Sequence, residues 1–265
     1  MKCRIGVAGC GRMGAPMLAA LRRAGLPARG YDIRPLEPVY ITDDIASFAE
    51  DLDTLITVVR DGNETDAVLF DQQNFTAIPG LKRIIISSTL SPRYVLGLRA
   101  RVPSHITLID APMSGAQVAA ERGTLSFMLG GDRAELDAVQ PFLSAMGAHF
   151  HRMGPYGAGM QAKVLNNMLA ASHTAMTRLV LDWADAAGLD ERKLLDLIET
   201  SSGQNWLASG FDTIEFARDG HAADNSIGIL VKDLASALDA APDGADTALP
   251  DLLRAQIAKL TPRPR

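Results

Sequence analysis

Residues 5–14 read Ile-Gly-Val-Ala-Gly-Cys-Gly-Arg-Met-Gly, a glycine-rich stretch near the start of the chain. Its second half, from Gly9 to Gly14, is a GxGxxG pattern between a strand-like run and a helical one. In a dinucleotide-binding βαβ unit the first glycine permits a tight turn, the second lets the backbone approach a pyrophosphate, and the third lets helix and strand pack closely. The helix N-terminus adds N–H groups that face the phosphates. The residues predicted to bind the dinucleotide are Gly9, Gly11, Arg12, Met13 and Gly14.

Asp32 ends the next strand-like run, about twenty residues after the glycine loop, where this motif places an acidic residue. Its carboxylate would accept hydrogen bonds from the adenosine ribose and repel a 2′-phosphate, which favours NAD over NADP. Arg34, two residues later, could tolerate a phosphate, so NADP stays open as the alternative. Two plainer readings stay open as well: a chance glycine-rich turn for the loop, and an ordinary polar strand end for Asp32.

Val- and Ile-rich runs alternate with helical patterns from the N-terminus to about residue 153. Such alternation is typical of βαβ units with a parallel sheet buried on both faces. The predicted strands are Arg4–Ala8, Ala28–Asp32, Thr54–Val59, Arg83–Ser87, Ile106–Asp110, Thr124–Leu129 and Ala148–Met153. The predicted helices are Met13–Ala24, Ile45–Glu50, Glu64–Leu69, Pro92–Ala100 and Arg133–Leu143.

The pattern changes at the turn-rich junction 153–159 and is helical from there to the end. The first helix is long, has a broad apolar face and ends at Gly188. Further helices are predicted at Glu191–Glu199, Gly210–Arg218, Ile227–Leu238 and Leu249–Leu260. The sequence therefore predicts an α/β protein: a Rossmann-type, doubly wound parallel sheet in residues 1–154, then an all-α substrate and dimerisation domain in residues 155–265. The apolar surface of the long helix favours a homodimer or higher homo-oligomer.

Composition narrows the class of function. The chain has 265 residues, of which 47% are hydrophobic and 22% charged, as in a globular protein with a sizeable core. A net charge of −5 without basic tracts argues against nucleic-acid binding, and no apolar run has the roughly 18 residues of a membrane span. A disulfide between Cys3 and Cys10 is not expected, so a reduced, cytoplasmic setting fits. His149 and His151 lack nearby acidic or thiol partners in the sequence, so no metal site is predicted.

Lys163 and Asn167 are four residues apart on the predicted long helix and share a face. A primary amine beside an amide suits the interconversion of an alcohol and a carbonyl compound. Neutral lysine takes the hydroxyl proton while hydride leaves the carbon, and the ammonium returns that proton in reduction. An amine held in an apolar cleft has a lowered pKa, which lets it do both near neutral pH. On spacing alone, an exposed surface lysine is the more common case.

Taken together, these motifs resemble the β-hydroxyacid dehydrogenase family, whose best-known members act on 3-hydroxyisobutyrate and tartronate semialdehyde. The stretches that carry the likeness, in order along nearly the whole chain, are Gly9–Met17, Ser88–Pro92, Asp110–Ala116, Gly123–Gly131, Gly157–Asn167, Ser201–Gly203 and Lys232–Leu234. The resemblance implies an NAD(P)-dependent oxidoreductase that interconverts a short 3-hydroxy acid and its semialdehyde or keto form.

The resemblance also implies site residues. Lys163 is similar to the family's acid/base lysine, and Asn167 to the partner that hydrogen-bonds the reacting oxygen. Ser114, Gly115 and Ala116 match the loop in which a hydroxyl and backbone N–H groups hold the substrate carboxylate, an arrangement that suits an anion. Lys232 matches a lysine that approaches substrate or cofactor, and Thr89 a residue near the nicotinamide. The plainer alternatives are a helix ion pair for Lys232 and Asp233, and a turn serine for Ser114.

Some positions depart from the family pattern. Ala116 stands where the substrate loop usually has a second glycine, and its methyl group could narrow the anion site. Ile86 replaces an aspartate, the stretch from Asp32 to Thr54 is short, and the helical domain looks shortened at its C-terminus. These departures bear on substrate and assembly. They leave a second hypothesis, a non-catalytic dinucleotide-binding protein that senses the cofactor or assembles with other proteins.

Overall fold

A mixed nine-stranded sheet dominates the first part of the computed structural model, which describes residues 4–264. The strands in that range are β1 Ile5–Ala8, β2 Ala28–Tyr31, β3 Ile41–Thr42, β4 Thr54–Thr57, β5 Arg83–Ile86, β6 Thr107–Asp110, β7 Met113–Ser114, β8 Leu125–Gly130 and β9 Gly147–Gly154. Their order is β3-β2-β1-β4-β5-β6-β8-β7, and β9 pairs with β8. Neighbours from β3 to β6 are parallel. Strand β8 runs antiparallel to β6 and β7 and parallel to β9.

The sheet is covered on both faces, as the prediction of a doubly wound fold requires. Its helices are α1 Gly14–Arg23, α2 Ile45–Ala49, α3 Gly62–Leu69, α4 Pro92–Arg101, α5 Ala116–Arg122 and α6 Arg133–Met146. Successive residues of a strand enter different cores: Leu55 lies in the core beneath α2, α3 and α4, and Ile56 in the core beneath α1, α5 and α6. Burial on both faces explains why these strands are apolar runs without alternation.

The remaining residues are helical, as predicted. The helices are α7 Ala158–Ala186, α8 Glu191–Glu199, α9 Trp206–Ser209, α10 Ser226–Asp239 and α11 Ala248–Ile257. One core joins α7, α10 and α11, and a second joins α7, α8 and α9. The buried guanidinium of Arg178 donates hydrogen bonds to the carbonyl oxygens of Ala217, Asp219 and Thr261, so it ties two irregular segments to α7.

One predicted helix is wrong. Residues 210–218 form consecutive turns instead, and the helix of this region is the short α9 that precedes them. The physical reason is that the Ala217 and Asp219 carbonyl oxygens accept hydrogen bonds from Arg178, and the buried Phe211 and Phe216 are not at helical spacing. The two-residue strands β3 and β7 and the helix α5 were not predicted. Cys3 lies outside the described residues, and Cys10 is a buried, free thiol.

The chain divides into two compact units, Met1–Lys163 and Val164–Arg265. The division lies inside α7, past the turn at which the sequence predicts a boundary. The first turns of α7 are bonded to the sheet unit: the Leu90 N–H contacts the Met160 sulfur at 3.3 Å, and Met160 is fully buried in the core beneath α2, α3 and α4. The N-terminal unit therefore includes the segment that leads to Lys163.

Candidate active site

The glycine loop follows β1, at the place where the sheet order reverses between β2 and β4. Gly9 has a φ of +91°, and a Cβ there would lie 2.5 Å from the Val58 carbonyl oxygen. A Cβ on Gly14 would lie 1.8 Å from the Gly9 carbonyl oxygen, whereas one on Gly11 meets only the Arg34 guanidinium at 3.9 Å. Gly9 and Gly14 are thus required by the packing of the loop, and Gly11 leaves open space beside the backbone. Helix α1 has no side-chain cap on its N-terminus, so the loop fits a pyrophosphate.

Asp32 supports this loop directly. Its carboxylate accepts hydrogen bonds from the Cys10 N–H at 3.0 Å and from the backbone and guanidinium of Arg34 at 3.0 Å. Burial alone would raise the pKa of Asp32, but these hydrogen bonds outweigh it, and the pKa lies below its ordinary value. Burial, with a contribution from Asp32, raises the pKa of the Cys10 thiol to about 12, so this thiol stays neutral. Arg12 is exposed and Met13 packs partly against the core.

A second loop at the same edge of the sheet follows β5. The Ser88 hydroxyl accepts a hydrogen bond from the Val59 N–H at 2.9 Å, which ties the loop after β5 to the loop after β4. Thr89, the residue predicted to lie near the nicotinamide, is the next residue and is half-buried. Because parallel strands end at one edge of a sheet, Gly9, Asp32 and Thr89 belong to the same edge.

The predicted substrate loop, Ser114 to Ala116, joins β7 to α5. Ser114 is half-buried at the end of β7, and Gly115 and Ala116 are exposed. Gly115 has a φ of +132° and Ala116 a φ of +55°. The backbone at Ala116 therefore lies in the left-handed region that favours glycine, the residue that the resemblance in the sequence leads one to expect there. A non-glycine residue in this conformation costs roughly 1–2 kcal/mol.

The strain at Ala116 leads to a first prediction. We expect Ala116→Gly to raise the free energy of unfolding by up to about 1 kcal/mol, because relief of the left-handed strain outweighs the greater entropy of glycine in the unfolded chain. Urea denaturation followed by circular dichroism measures this change. Ala138→Gly, at an exposed position within α6, is the matched control and should instead destabilise by about 1 kcal/mol. Equal losses in both variants would contradict the strain at Ala116.

Asp110 links the sheet to the start of α7. This fully buried carboxylate at the end of β6 accepts hydrogen bonds from the Gly157 N–H at 2.7 Å and the Met160 N–H at 2.6 Å. Burial raises the pKa of Asp110, and these bonds offset part of that effect. Gly159 is required here, since a Cβ on it would lie 2.4 Å from the Met128 carbonyl oxygen and 2.9 Å from Asp110. The Gly157-Ala-Gly159 sequence therefore lets the N-terminus of α7 pack closely against Asp110, whose buried carboxylate binds it.

Lys163 lies on α7, one turn after these contacts with Asp110, and is only 6% exposed. The alternative of an ordinary surface lysine is therefore wrong. It is the last residue of the N-terminal unit, the unit that holds the glycine loop, and it forms polar interactions within the described part of the chain. A buried lysine is rare and is retained where it is paired or functional.

Asp233 brings Asn167 and Lys232 together in the C-terminal unit. From the sequence, Asp233 was considered only as an ion-pair partner of Lys232. The Asn167 side-chain N–H donates to Asp233 Oδ2 at 2.5 Å, and Asp233 is 1% exposed. Lys232 Nζ lies 2.9 Å from the other oxygen, Oδ1, as an ion pair whose alignment is not that of a hydrogen bond. The helix ion pair is thus present, and it is joined to the predicted catalytic amide. Asn166 is exposed and donates to Asn167 Oδ1 at 3.3 Å.

The sequence reading missed the roles of Asp110 and Asp233. Asp110 was quoted only as part of a family stretch, and Asp233 also as the ion-pair partner of Lys232. Both are buried carboxylates, and they accept hydrogen bonds from the first turn of α7 and from Asn167, respectively. An acid that ends a fully apolar strand was the available signal for Asp110. In residues 4–264 no cluster of three or more histidine, cysteine or acidic side chains has the geometry to hold a metal ion. Over the same residues no helix has both the length and the apolar character to cross a bilayer.

In a comparison with known proteins, each half of the chain matches a family model. Residues 4–154 match the family model described as the NAD binding domain of 6-phosphogluconate dehydrogenase. Residues 157–259 match the model described as NAD-binding of NADP-dependent 3-hydroxyisobutyrate dehydrogenase. The prediction of NAD as cofactor, with NADP possible, is confirmed by these matches.

Individual relatives cover most of the chain. A 3-hydroxyisobutyrate dehydrogenase from Pseudomonas aeruginosa is 30% identical over 87% of this chain and 82% of its own length. An L-threonate dehydrogenase from Cupriavidus necator is 29% identical over 91% of this chain and 84% of its own. Among solved structures, Mycobacterium tuberculosis 3-hydroxyisobutyrate dehydrogenase with L-serine has a TM-score of 0.79 at 28% identity, covering 98% of this chain and 97% of its own. The predicted fold class is confirmed.

Proposed function

The chain belongs to the β-hydroxyacid dehydrogenase family of oxidoreductases, and on that basis we propose that it interconverts a short 3-hydroxy acid and its semialdehyde or keto form with NAD. The observation that carries the proposal is the buried Lys163 on a helix whose N-terminus is bonded to the sheet that bears the glycine loop. A non-catalytic descendant has no need to keep an amine buried at this place, together with Asn167 and Ser114.

The roles of the residues follow from their chemistry. In the oxidation direction, the neutral amine of Lys163 takes the proton of the substrate hydroxyl, so that the C–O bond becomes a carbonyl. When bound, the cofactor supplies the carbon that accepts the hydride from the substrate in oxidation and that gives a hydride back in reduction. Asn167 donates a hydrogen bond to the reacting oxygen and keeps it in reach of Lys163. In reduction, the ammonium of Lys163 returns the same proton to that oxygen.

The substrate is proposed from a feature shared by the relatives' names. 3-Hydroxyisobutyrate, L-threonate and L-serine each carry a carboxylate and a hydroxyl group on carbon 3. We assign the carboxylate to the loop of Ser114, Gly115 and Ala116, which offers a hydroxyl and backbone N–H groups. Lys232 keeps the role that the family resemblance implies, that of an ammonium which approaches substrate or cofactor. The relatives share this pattern but are named for different acids, so the pattern supports the class of substrate and not one compound.

A substrate panel tests the proposal. The purified chain is given NAD or NADP with 3-hydroxyisobutyrate, L-threonate, L-serine or D-glycerate, and cofactor absorbance is followed. The expected result is turnover of at least one acid, with saturation in both substrate and cofactor. Binding of NADH without turnover of any acid, or of the matching semialdehydes in reverse, would favour the alternative of a non-catalytic dinucleotide-binding protein.

Arg34 gives a second prediction, on the choice of cofactor. Its guanidinium is paired with Asp32, is largely exposed and lies beside Gly11. In Arg34→Ala the Asp32 charge is left without this partner, so NADPH should lose affinity relative to NADH by about 10-fold. Fluorescence titration with both reduced cofactors measures the ratio of dissociation constants. Arg133→Ala, an exposed arginine of α6, is the control. An unchanged ratio in Arg34→Ala would remove Arg34 from cofactor selection.

We also propose that the chain forms a homodimer through α7. An apolar stripe on this helix is exposed, and its members are Leu165, Leu169, Met176, Leu179, Val180 and Trp183. Between Leu165 and Val180 the only Asp, Glu, Lys or Arg of the helix is Arg178, which is buried. The stripe extends over about 27 Å at 1.5 Å per residue. A two-fold axis across it would pair the same patch on two copies, which is the commonest way in which such a surface is covered.

The dimer leads to a third prediction. Trp183 is 70% exposed at the end of this stripe, so Trp183→Glu should place a charge in the interface and leave a monomer at micromolar concentration. Light scattering coupled to gel filtration gives the mass. Leu197→Glu changes a comparably exposed leucine of α8 off the stripe and should keep the mass of the wild type. A wild-type chain that is already monomeric would overturn the proposal.

A further inference from the structure

We infer that Asp233 is a positioning residue for Asn167: it fixes which way the amide faces and leaves one N–H of that amide for the reacting oxygen. The inference rests on the proposed function, because it assigns to Asn167 the hydrogen bond to that oxygen. Its physical basis is the geometry around Asp233, all of which lies within the C-terminal unit.

The carboxylate determines the orientation of the amide. An Asn side chain has a donor end and an acceptor end, and neighbouring groups decide which end faces where. Asp233 Oδ2 lies 2.5 Å from Asn167 Nδ2, and an ionised carboxylate only accepts hydrogen bonds, so the donor end must face it. The Asn166 side-chain N–H reaches Asn167 Oδ1 at 3.3 Å and favours the same orientation.

The amide nitrogen keeps a second hydrogen. One N–H of Asn167 is held by Asp233, and the other points elsewhere from the same nitrogen. A hydrogen bond to a carboxylate is stronger than one to a neutral group, and it immobilises the side chain. Both side chains are buried, Asn167 at 8% and Asp233 at 1% exposed, so water does not compete strongly for this contact. The second N–H is therefore presented in a fixed direction before substrate binds.

Lys232 completes the arrangement. A buried carboxylate is costly unless a cation or several donors compensate for it, and the Lys232 ammonium lies 2.9 Å from Oδ1. Asp233 thus holds two of the residues assigned to the substrate, an amide through one oxygen and an ammonium through the other. The helix ion pair is therefore also a support of the site, since loss of the Asp233 carboxylate would release both Asn167 and Lys232.

The test is a double-mutant cycle on the full chain, with NAD and the acid that the substrate panel identifies. Asp233→Asn keeps the shape and removes the charge. It should lower kcat by about 10- to 100-fold, less than the roughly 10²- to 10³-fold that removal of a donor itself costs. In the Asn167→Ala background the same change should alter kcat by less than about 2-fold, because the residue through which Asp233 acts is gone. Asp239→Asn, the same change at an exposed position of α10, is the matched control.

Additive effects of the two substitutions on kcat would overturn the inference and leave Asp233 a structural residue. Should Asp233→Asn fail to unfold cooperatively, Asp233→Glu asks the same question, because it retains the charge and displaces the carboxylate by one methylene group; a wild-type kcat in that variant would also overturn it. The side-chain N–H signals of Asn167 in NMR spectra provide a readout without turnover. The chemical shifts of the two N–H protons should differ widely in the wild type, and this difference should become smaller in Asp233→Asn, even if no acid is turned over. Unchanged Asn167 signals in Asp233→Asn would contradict the positioning role, whereas absence of turnover alone would contradict only the proposed function.

Discussion

Lys163→Met should lower kcat for the acid identified by the substrate panel by about 10²- to 10⁴-fold, the range that a general acid/base contributes. Methionine keeps the unbranched shape and removes the amine, so the hydroxyl proton has no acceptor on the enzyme. The dissociation constant for NADH should stay within about 2-fold of the wild type, because Lys163 is assigned to the transition state and not to cofactor binding. Steady-state kinetics and fluorescence titration measure the two quantities separately.

Two controls make this result specific. Lys193→Met removes an exposed lysine of α8 and should leave kcat unchanged. Lys163→Ala opens space for a small amine, so added methylamine should restore part of the lost turnover with a rate that follows the concentration of its neutral form. Turnover in Lys163→Met near the wild-type rate would show that another group moves the proton. Failure of amine rescue together with weak NADH binding would instead indicate a structural role for Lys163.

The sequence predicted the sheet unit well because its signals are local. A glycine loop after a buried run, and apolar strands between helical patterns, do not depend on distant residues, so β1, β4, β5 and α1 lie within two residues of their predicted bounds at each end. The failures needed long-range information. The turns at 210–218 exist because Arg178 binds the carbonyl oxygens of Ala217 and Asp219, a contact about 40 residues away in the chain.

The candidate site divides in the same way. Lys163, Asn167 and Lys232 were found through residue type, spacing and family likeness. The carboxylates that hold their surroundings, Asp110 and Asp233, were not assigned these contacts, because their partners lie 47 or more residues away in the chain. Spacing shows which residues share a helix face. It does not show which buried acid meets that face, and this is where the structure adds most.

Asp110→Ala should reduce the free energy of unfolding by about 2–6 kcal/mol. The substitution leaves the N–H groups of Gly157 and Met160 buried without an acceptor, at roughly 1–3 kcal/mol each. An exposed helix cap is the natural comparison: Asp190 accepts a hydrogen bond from the Lys193 N–H at the start of α8, and Asp190→Ala should cost only about 1 kcal/mol. Urea denaturation of both variants measures the difference, and similar losses would contradict the role given to the buried carboxylate.

Asp110→Asn separates the charge of this group from its shape. Burial raises the pKa of Asp110 above its value in the unfolded chain, so the folded state binds the proton more readily than the unfolded state does. This group's contribution to stability therefore falls as the pH rises from the ordinary pKa of an aspartate through the raised one, and recovers as the pH is lowered again. Relative to Asp110→Asn, which does not titrate, the wild type should gain stability on acidification across that window. The neutral amide keeps one acceptor oxygen for one of the two N–H groups, so it should cost less than alanine, which keeps none. In Asp110→Asn the helix that carries Lys163 should therefore stay bound to the sheet. A fall in kcat larger than the loss of folded protein would indicate that the charge of Asp110 also positions Lys163.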